Sequence, residues 1–334
     1  MGEVAKKRVL VIGGGSIGER HIRCFQRSGR ADVALCEINA SVCQRVADTY
    51  SLCDVFTDFD SAVASRPEIA VICTPAHLHV PMAGRVCDIG AHLLVEKPLS
   101  VSTDGVDKLI SAVRERSLTA AVAYTYRAHP ALVEMKRAID EGRFGRPVHV
   151  VVVSGQHFPH YRPAYRETYY TDRATGGGAI QDGLTHLVNA VEWLVGPTTR
   201  VVADAEHAML DGVDMEDTVN VIARHADVMT VYGFNQHQAP TETSLTVVCE
   251  RGTARYEVNG QRWMSATDPG KDWSVEAEFP FERDDAFVRQ ANTFLDAVEG
   301  RATPVCSFEE GAQTLRAILA ILKSTEIGAW AAID

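Results

Sequence analysis

Asp182 and His186 stand four residues apart, just behind the glycine run Gly176–Gly178, a spacing that puts both side chains on one face of a helix. An imidazole titrates near operating pH and suits general acid–base work, and a neighbouring carboxylate can orient it or hold substrate hydroxyls. A local Asp–His pair that only supports its helix fits the same spacing. In the first half of the chain, Glu96-Lys97-Pro98 follows the apolar run His92 to Val95. Lys97 therefore stands at the carboxyl end of a strand, where open parallel sheets hold their ligands. Pro98 restricts the turn and removes a backbone donor. A surface lysine beside its neighbour Glu96 fits that pattern, taken alone, better.

A second kind of chemistry is written at the start of the chain. Gly13-x-Gly15-x-x-Gly18, with Ser16 and Ile17 inside it, ends one apolar run and opens a helical one. Such glycines permit a tight turn, approach of a pyrophosphate to the backbone, and close packing of helix on strand. The helix N-terminus then offers N–H groups and a positive dipole end to the phosphates. Glu37 lies 19 residues beyond Gly18, at the expected end of the second strand, where an acid holds the adenosine ribose hydroxyls. It would repel a 2′-phosphate, so NAD is expected over NADP. Thr74-Pro75, with His77 and His79 behind it, follows another buried strand and should border the cofactor, unless Thr74 merely caps the next helix. An oxidised nicotinamide near Lys97 would lower the lysine pKa toward catalytic use.

The elements that must position these groups fall into two regimes. Up to Tyr124, short apolar strands (Arg8–Gly13, Asp32–Glu37, Ile69–Cys73, His92–Val95, Leu118–Tyr124) alternate with helical patterns (Ile17–Arg27, Ala40–Tyr50, His79–Ile89, Thr103–Arg116). That alternation predicts an α/β Rossmann domain with a doubly wound parallel sheet over residues 1–125. After a helix at His129–Glu141 come many strands: Val148–His157, Arg200–Met209, Asp217–His225, Val228–Gln236, Ser244–Glu250, Ala254–Val258 and Trp273–Phe279. With helices at Ile180–Leu194, Asp285–Glu299 and Phe308–Thr325, residues 126–334 read as an α+β domain built on a large, mostly antiparallel open sheet.

Bulk properties narrow the classes. The 334 residues suffice for two cores. A net charge of −11 argues against nucleic acid as a partner. No apolar run approaches the roughly 20 residues of a membrane span. The start Lys6-Lys7-Arg8 with Val9–Ile12 is too short an apolar run for a signal peptide, and Met1-Gly2 with Lys6 does not fit a myristoylation site. Eight cysteines without a Cys-x-x-Cys pair fit a reducing cytoplasm. No tyrosine has a lysine four positions on, which removes the short-chain dehydrogenase pattern.

Taken together, Gly13–Gly18 with His21, Cys73-Thr74-Pro75 with His79, Glu96-Lys97-Pro98, Tyr126-Arg127 and Gly176–His186 resemble the glucose–fructose oxidoreductase, inositol dehydrogenase and MocA-like family over nearly the whole chain. The resemblance implies a Rossmann domain followed by an α+β domain whose sheet builds a homodimer or homotetramer. It implies an NAD-dependent dehydrogenase or reductase that moves a hydride to or from a sugar, sugar derivative or cyclitol. Lys97, Asp182 and His186 take the family's catalytic positions. His186 would be the base for the substrate hydroxyl, and Lys97 would bind and polarise that oxygen, both beside one nicotinamide C4. Arg127 joins the expected substrate contacts. The segment Gln156–Asp172 is rich in His, Tyr and Arg. His160, Tyr161, Arg162 and Tyr165 there could line a polyol pocket or lie in a solvated loop. A metal at His157 and His160 lacks carboxylate partners at ligand spacing, so no metal is expected. Two rival expectations are a dinucleotide sensor on the same fold and an aldose-modifying enzyme that retains its cofactor.

Overall fold

Ile69–Ile72 is buried at every position, the mark of a strand covered on both faces. In the computed structural model, which describes residues 6–333, it is one of six parallel strands. These are β1 (Lys7–Ile12), β2 (Ala31–Cys36), β3 (Val55–Phe56), β4 (Ile69–Ile72), β5 (His92–Val95) and β6 (Ala120–Val122), in the order β3-β2-β1-β4-β5-β6. Connecting them are α1 (Ser16–Arg27), α2 (Ala40–Tyr50), α3 (Phe59–Ala64), α4 (His79–Asp88) and α5 (Val106–Glu115). Strand order reverses between β1 and β4, which opens a crevice at their carboxyl ends. The stretch weighed as a signal peptide, Lys6–Ile12, supplies β1. Met1-Gly2 lies outside the described residues. Two elements have no forecast in the sequence: the two-residue β3 and the six-residue α3, both too short to show a period.

The remaining strands form one nine-stranded sheet, order β14-β13-β12-β11-β7-β10-β9-β8-β15. Its members are β7 (Pro147–His157), β8 (Arg200–Glu206), β9 (Thr218–His225), β10 (Val228–Asn235), β11 (His237–Cys249), β12 (Gly252–Glu257), β13 (Arg262–Ala266), β14 (Ser274–Glu278) and β15 (Ala331–Ala332). All neighbours are antiparallel except β7 and β10. Helices α6 (Pro130–Asp140), α7 (Phe158–Tyr161), α8 (Thr185–Val195), α9 (Arg283–Val298) and α10 (Phe308–Ile327) complete the chain. The stretch Ile180–Leu194 is not one helix: a π-helical turn at Ile180–Leu184 precedes α8.

The chain divides into two compact units, Met1–Ala128 with Glu282–Ala312, and His129–Phe281 with Gln313–Asp334. Sequence reading assigned everything after residue 125 to the second domain. Instead, Ala291, Phe294 and Leu295 of α9 join the core of Val9, Val11, Ile22 and Phe25. Asp284, in the first turn of α9, accepts from Arg20 at 3.2 Å and from Arg23 at 2.5 and 2.8 Å. The apolar face of α9 and its acidic first turn thus belong to α1, a pairing across some 260 residues that no local pattern announces.

Candidate active site

The glycine turn is built as its chemistry requires. A Cβ on Gly18 would run into the carbonyl oxygen of Gly13, so only glycine lets α1 lie this close to the end of β1. A Cβ on Gly15 would meet nothing within 4 Å, and Gly15 and Ser16 are exposed while Ile17 is half-buried. No side chain caps the N-terminus of α1. With Gly15 and Ser16 exposed and no capping side chain, this N-terminus fits a pyrophosphate. Glu37, just past β2, accepts from the Gly14 N–H at 2.7 Å and from the Asn39 N–H at 2.8 Å. Its carboxylate is thus held against the glycine turn, where a ribose diol would replace or share those donors.

Across the strand-order reversal, two turns are sewn together at the ends of β4 and β5. His79 is buried, with Nδ1 2.9 Å from the Pro98 carbonyl and Nε2 2.8 Å from the Thr74 carbonyl. Burial holds its pKa below the usual histidine value, although both carbonyls and Glu96 favour the charged ring. His79 was expected to border the cofactor. It instead braces the two turns from beneath, leaving half-buried Thr74 and exposed Pro75 at the rim. Glu96 is also buried: Oε1 lies 2.7 Å from His21 Nε2 on α1, and Oε2 accepts the Lys97 N–H at 3.1 Å. The carboxylate therefore anchors the lysine turn to the glycine-loop helix, and Lys97 is left half-buried above it. The Lys97–Pro98 peptide is cis.

In the second unit, Asp182 and Gly183 on the π-helical turn and His186 in the first turn of α8 are half-buried, whereas Gln181, Leu184, Thr185 and Leu187 are buried. Asp182 and His186 thus share the one accessible side of this segment. Glu216 holds the entry to the turn. Its carboxylate accepts from the Ile180 N–H at 3.0 Å and pairs with Arg173 at 2.8 Å, and its backbone oxygen accepts from Ala179 at 3.0 Å. Gly178 has φ +92°, and a Cβ there would strike that carboxylate. The Tyr169 hydroxyl donates to Asp182 Oδ1 at 2.7 Å.

The remaining expected contacts separate. His160 and Tyr161 are exposed and line a cavity of about 310 Å³ with His157 and the start of β11, a set that contains neither Asp182 nor His186. Arg162 is exposed. Tyr165 is buried against Phe158 and Tyr170, and its hydroxyl donates to the Asp211 carbonyl at 2.5 Å. Arg127 is likewise buried, donating to the Val305 carbonyl at 3.0 Å and pairing with Glu310, which ties the end of the first unit to the start of α10. These two placements share a cause: a polar side chain in a suggestive segment reads the same whether a ligand or a distant backbone carbonyl satisfies it. Among the described residues no group of three or more His, Cys, Asp or Glu is placed to hold a metal. Sequence reading gave no role to Tyr169, Glu216 or His21. Tyr169 lies in the His/Tyr/Arg-rich stretch and His21 follows the glycine motif, but Glu216 acts across tens of residues and carries no local signal.

The parallel sheet thus carries a glycine turn at the end of β1, a carboxylate bonded to that turn just past β2, and a braced lysine turn at the end of β5. The chain belongs to the GFO/IDH/MocA family: residues 7–124 match "Oxidoreductase family, NAD-binding Rossmann fold" and residues 132–255 match "GFO/IDH/MocA C-terminal domain". An inositol 2-dehydrogenase/D-chiro-inositol 3-dehydrogenase of Halalkalibacterium halodurans is 31% identical over 56% of this chain and 52% of its own length, so the chain spans about half of that relative. A D-xylose 1-dehydrogenase (NADP(+)) of Haloferax volcanii is 25% identical over 97% of this chain and 99% of its own. The solved structure of a levoglucosan dehydrogenase in complex with NADH superposes with a TM-score of 0.90 at 19% identity, covering 98% of this chain and 99% of that one, which shows the fold.

Proposed function

We propose that this protein is an NAD-dependent dehydrogenase or reductase for a CH–OH group of a sugar, sugar derivative or cyclitol. The observation that carries the reading is the lysine turn. Lys97 stands on the same sheet as the Gly13–Gly18 cradle, braced by Glu96, His21 and His79 at the carboxyl end of β5. Gly13 to Gly18 and Glu37 would hold the pyrophosphate and adenosine ribose, and Thr74, Pro75 and Glu96–Lys97 would edge the nicotinamide half. When bound, the nicotinamide supplies the acceptor or donor of a hydride. Lys97 binds and polarises the reacting oxygen. His186 takes the hydroxyl proton, and Asp182 holds substrate hydroxyls and the imidazole's orientation. His160, Tyr161 and Arg162 remain proposed outer contacts of a polyol.

The test is a screen of purified protein against sugars, sugar acids, nucleotide sugars and inositols with NAD and with NADP. Turnover of at least one polyol with NAD is expected, and none with either cofactor would remove the reading. Glu37→Ala is expected to weaken NAD binding, measured by quenching of tryptophan fluorescence, several-fold more than NADP binding, because Glu37 favours a ribose diol and repels a 2′-phosphate. An unchanged preference would take Glu37 out of the ribose site.

The proposed assembly is a homodimer or homotetramer through the open face of the second sheet, where Ile222 and Met229 are 41% and 37% exposed on adjacent strands. A solution mass of a single chain would contradict it. The compartment is proposed to be the cytoplasm: the eight cysteines are free thiols, and only Cys53 is exposed. Export of the protein in fractionated cells would refute that. No helix among the described residues is long and apolar enough to cross a membrane.

A further inference from the structure

We infer that Tyr169 is a positioning residue of the reaction, acting through Asp182, and that the segment 158–175 exists in part to deliver it. The inference rests on the assignment of Asp182 above. Three observations lead to it.

The first is the bond itself. A phenol donates to Asp182 Oδ1 at 2.7 Å. A hydroxyl donating to a carboxylate is among the stronger hydrogen bonds and fixes the rotamer of its acceptor. Asp182 sits on a π-helical turn, a rare local distortion found frequently at functional sites.

The second is how the phenol is held. Tyr169 and Tyr170 are consecutive in the tight turn Tyr169–Thr171, and their side chains have opposite fates. Tyr170 is buried in an aromatic cluster with Phe158, Tyr165, Leu210 and Val213, its ring 4.7 Å from that of Phe158, and its hydroxyl bonds to buried Gln236. Tyr169 remains 45% exposed. Thr175 Oγ1 donates to the Tyr169 carbonyl at 2.8 Å, which pins the backbone on the far side of the turn. The cluster anchors the turn through one tyrosine and presents the other at Asp182.

The third is that the same segment also holds the helix carrying Asp182. Arg173 pairs with Glu216, and Glu216 accepts the Ile180 N–H at the entry to the π-helical turn. Both the backbone that carries Asp182 and the carboxylate itself are thus referenced to residues 158–175. A solvated loop would have no reason to build an apolar cluster of its own and then spend an exposed tyrosine hydroxyl on a carboxylate beside His186.

Tyr169→Phe keeps the ring and removes only the donor. With the panel substrate that gives the highest wild-type turnover, Tyr169→Phe is expected to lower kcat about 10-fold, the order expected for a hydrogen bond to a charged group. The dissociation constant for NAD should not change. In the Asp182→Ala background, where no acceptor for the phenol is left, the same substitution should cost nothing further, because its route to the reaction has gone. A crystal structure of Tyr169→Phe should show the Asp182 carboxylate turned out of its present rotamer. A wild-type kcat in Tyr169→Phe, an equal loss in both backgrounds, or an unmoved Asp182 would each overturn the inference while leaving Asp182 in place. A wild-type rate in Asp182→Ala alone would instead remove the assignment on which the inference stands.

Discussion

Lys97→Ala is expected to lower kcat at least about 100-fold, within the range for a lost acid–base group, while NAD still binds. The split follows from position. The cradle that would hold the dinucleotide, from Gly13 to Gly18 with Glu37, owes nothing to the lysine side chain, whereas the reacting oxygen is proposed to sit against its ammonium. The turn itself should survive the substitution, because its brace uses the Lys97 backbone N–H, the Glu96 carboxylate and the His79 ring. Lys97→Arg is expected not to restore the rate: a guanidinium keeps its proton and spreads its charge over a planar fork that does not match a point contact on one oxygen. Rate measurements under saturating NAD, with fluorescence titration of the cofactor, check both halves. Near-normal turnover in Lys97→Ala would sink the catalytic assignment, and lost NAD binding would recast the lysine as a cofactor contact.

His186→Ala is expected to cost at least about 100-fold as well, but with a different pH signature. A neutral imidazole is needed to take a proton from a hydroxyl. The wild-type kcat/KM in the oxidative direction should therefore fall as pH falls and the ring becomes charged. In His186→Ala that acid limb disappears, and the residual rate should rise with hydroxide concentration. Added imidazole should recover part of the loss if the vacated space admits it. The fold should tolerate the change, since His186 sits on the accessible side of its helix while Leu184, Thr185 and Leu187 carry the packing. A variant that retains the wild-type acid limb would show that another group accepts the proton, with Lys97 the first to examine. Double substitution of Lys97 and His186 should cost less than the product of the two single losses, as for residues that act as a unit.

Local chemistry was legible at the places where it is repetitive or sterically demanding. The Gly13–Gly18 turn, Glu37 at the end of β2 and the Lys97 turn at the end of β5 could all be read off, because each depends on neighbours within a strand and a turn. The Asp182–His186 face was legible from spacing, although the helix carrying it opens as a π-helical turn that spacing does not reveal. The substrate contacts were not. Tyr165 and Arg127 have the residue types of ligand contacts and are consumed by the Asp211 carbonyl and by Val305 and Glu310.

What the amino-acid order determined by itself is therefore the succession of elements, the dinucleotide cradle and the identity of the groups able to do acid–base chemistry, since these follow from short-range sterics and periodicity. Tertiary structure alone decided which polar side chains face solvent and which hold the scaffold. It turned His79 into a brace, put Glu96 on His21, returned α9 to the first unit through Arg20, Arg23 and Asp284, and set the Tyr169 hydroxyl on Asp182. For His79 and the Glu96–His21 pair the partner is fixed by burial, where a polar group must find a donor or acceptor wherever the fold supplies one, and chain separation places no limit on where that is.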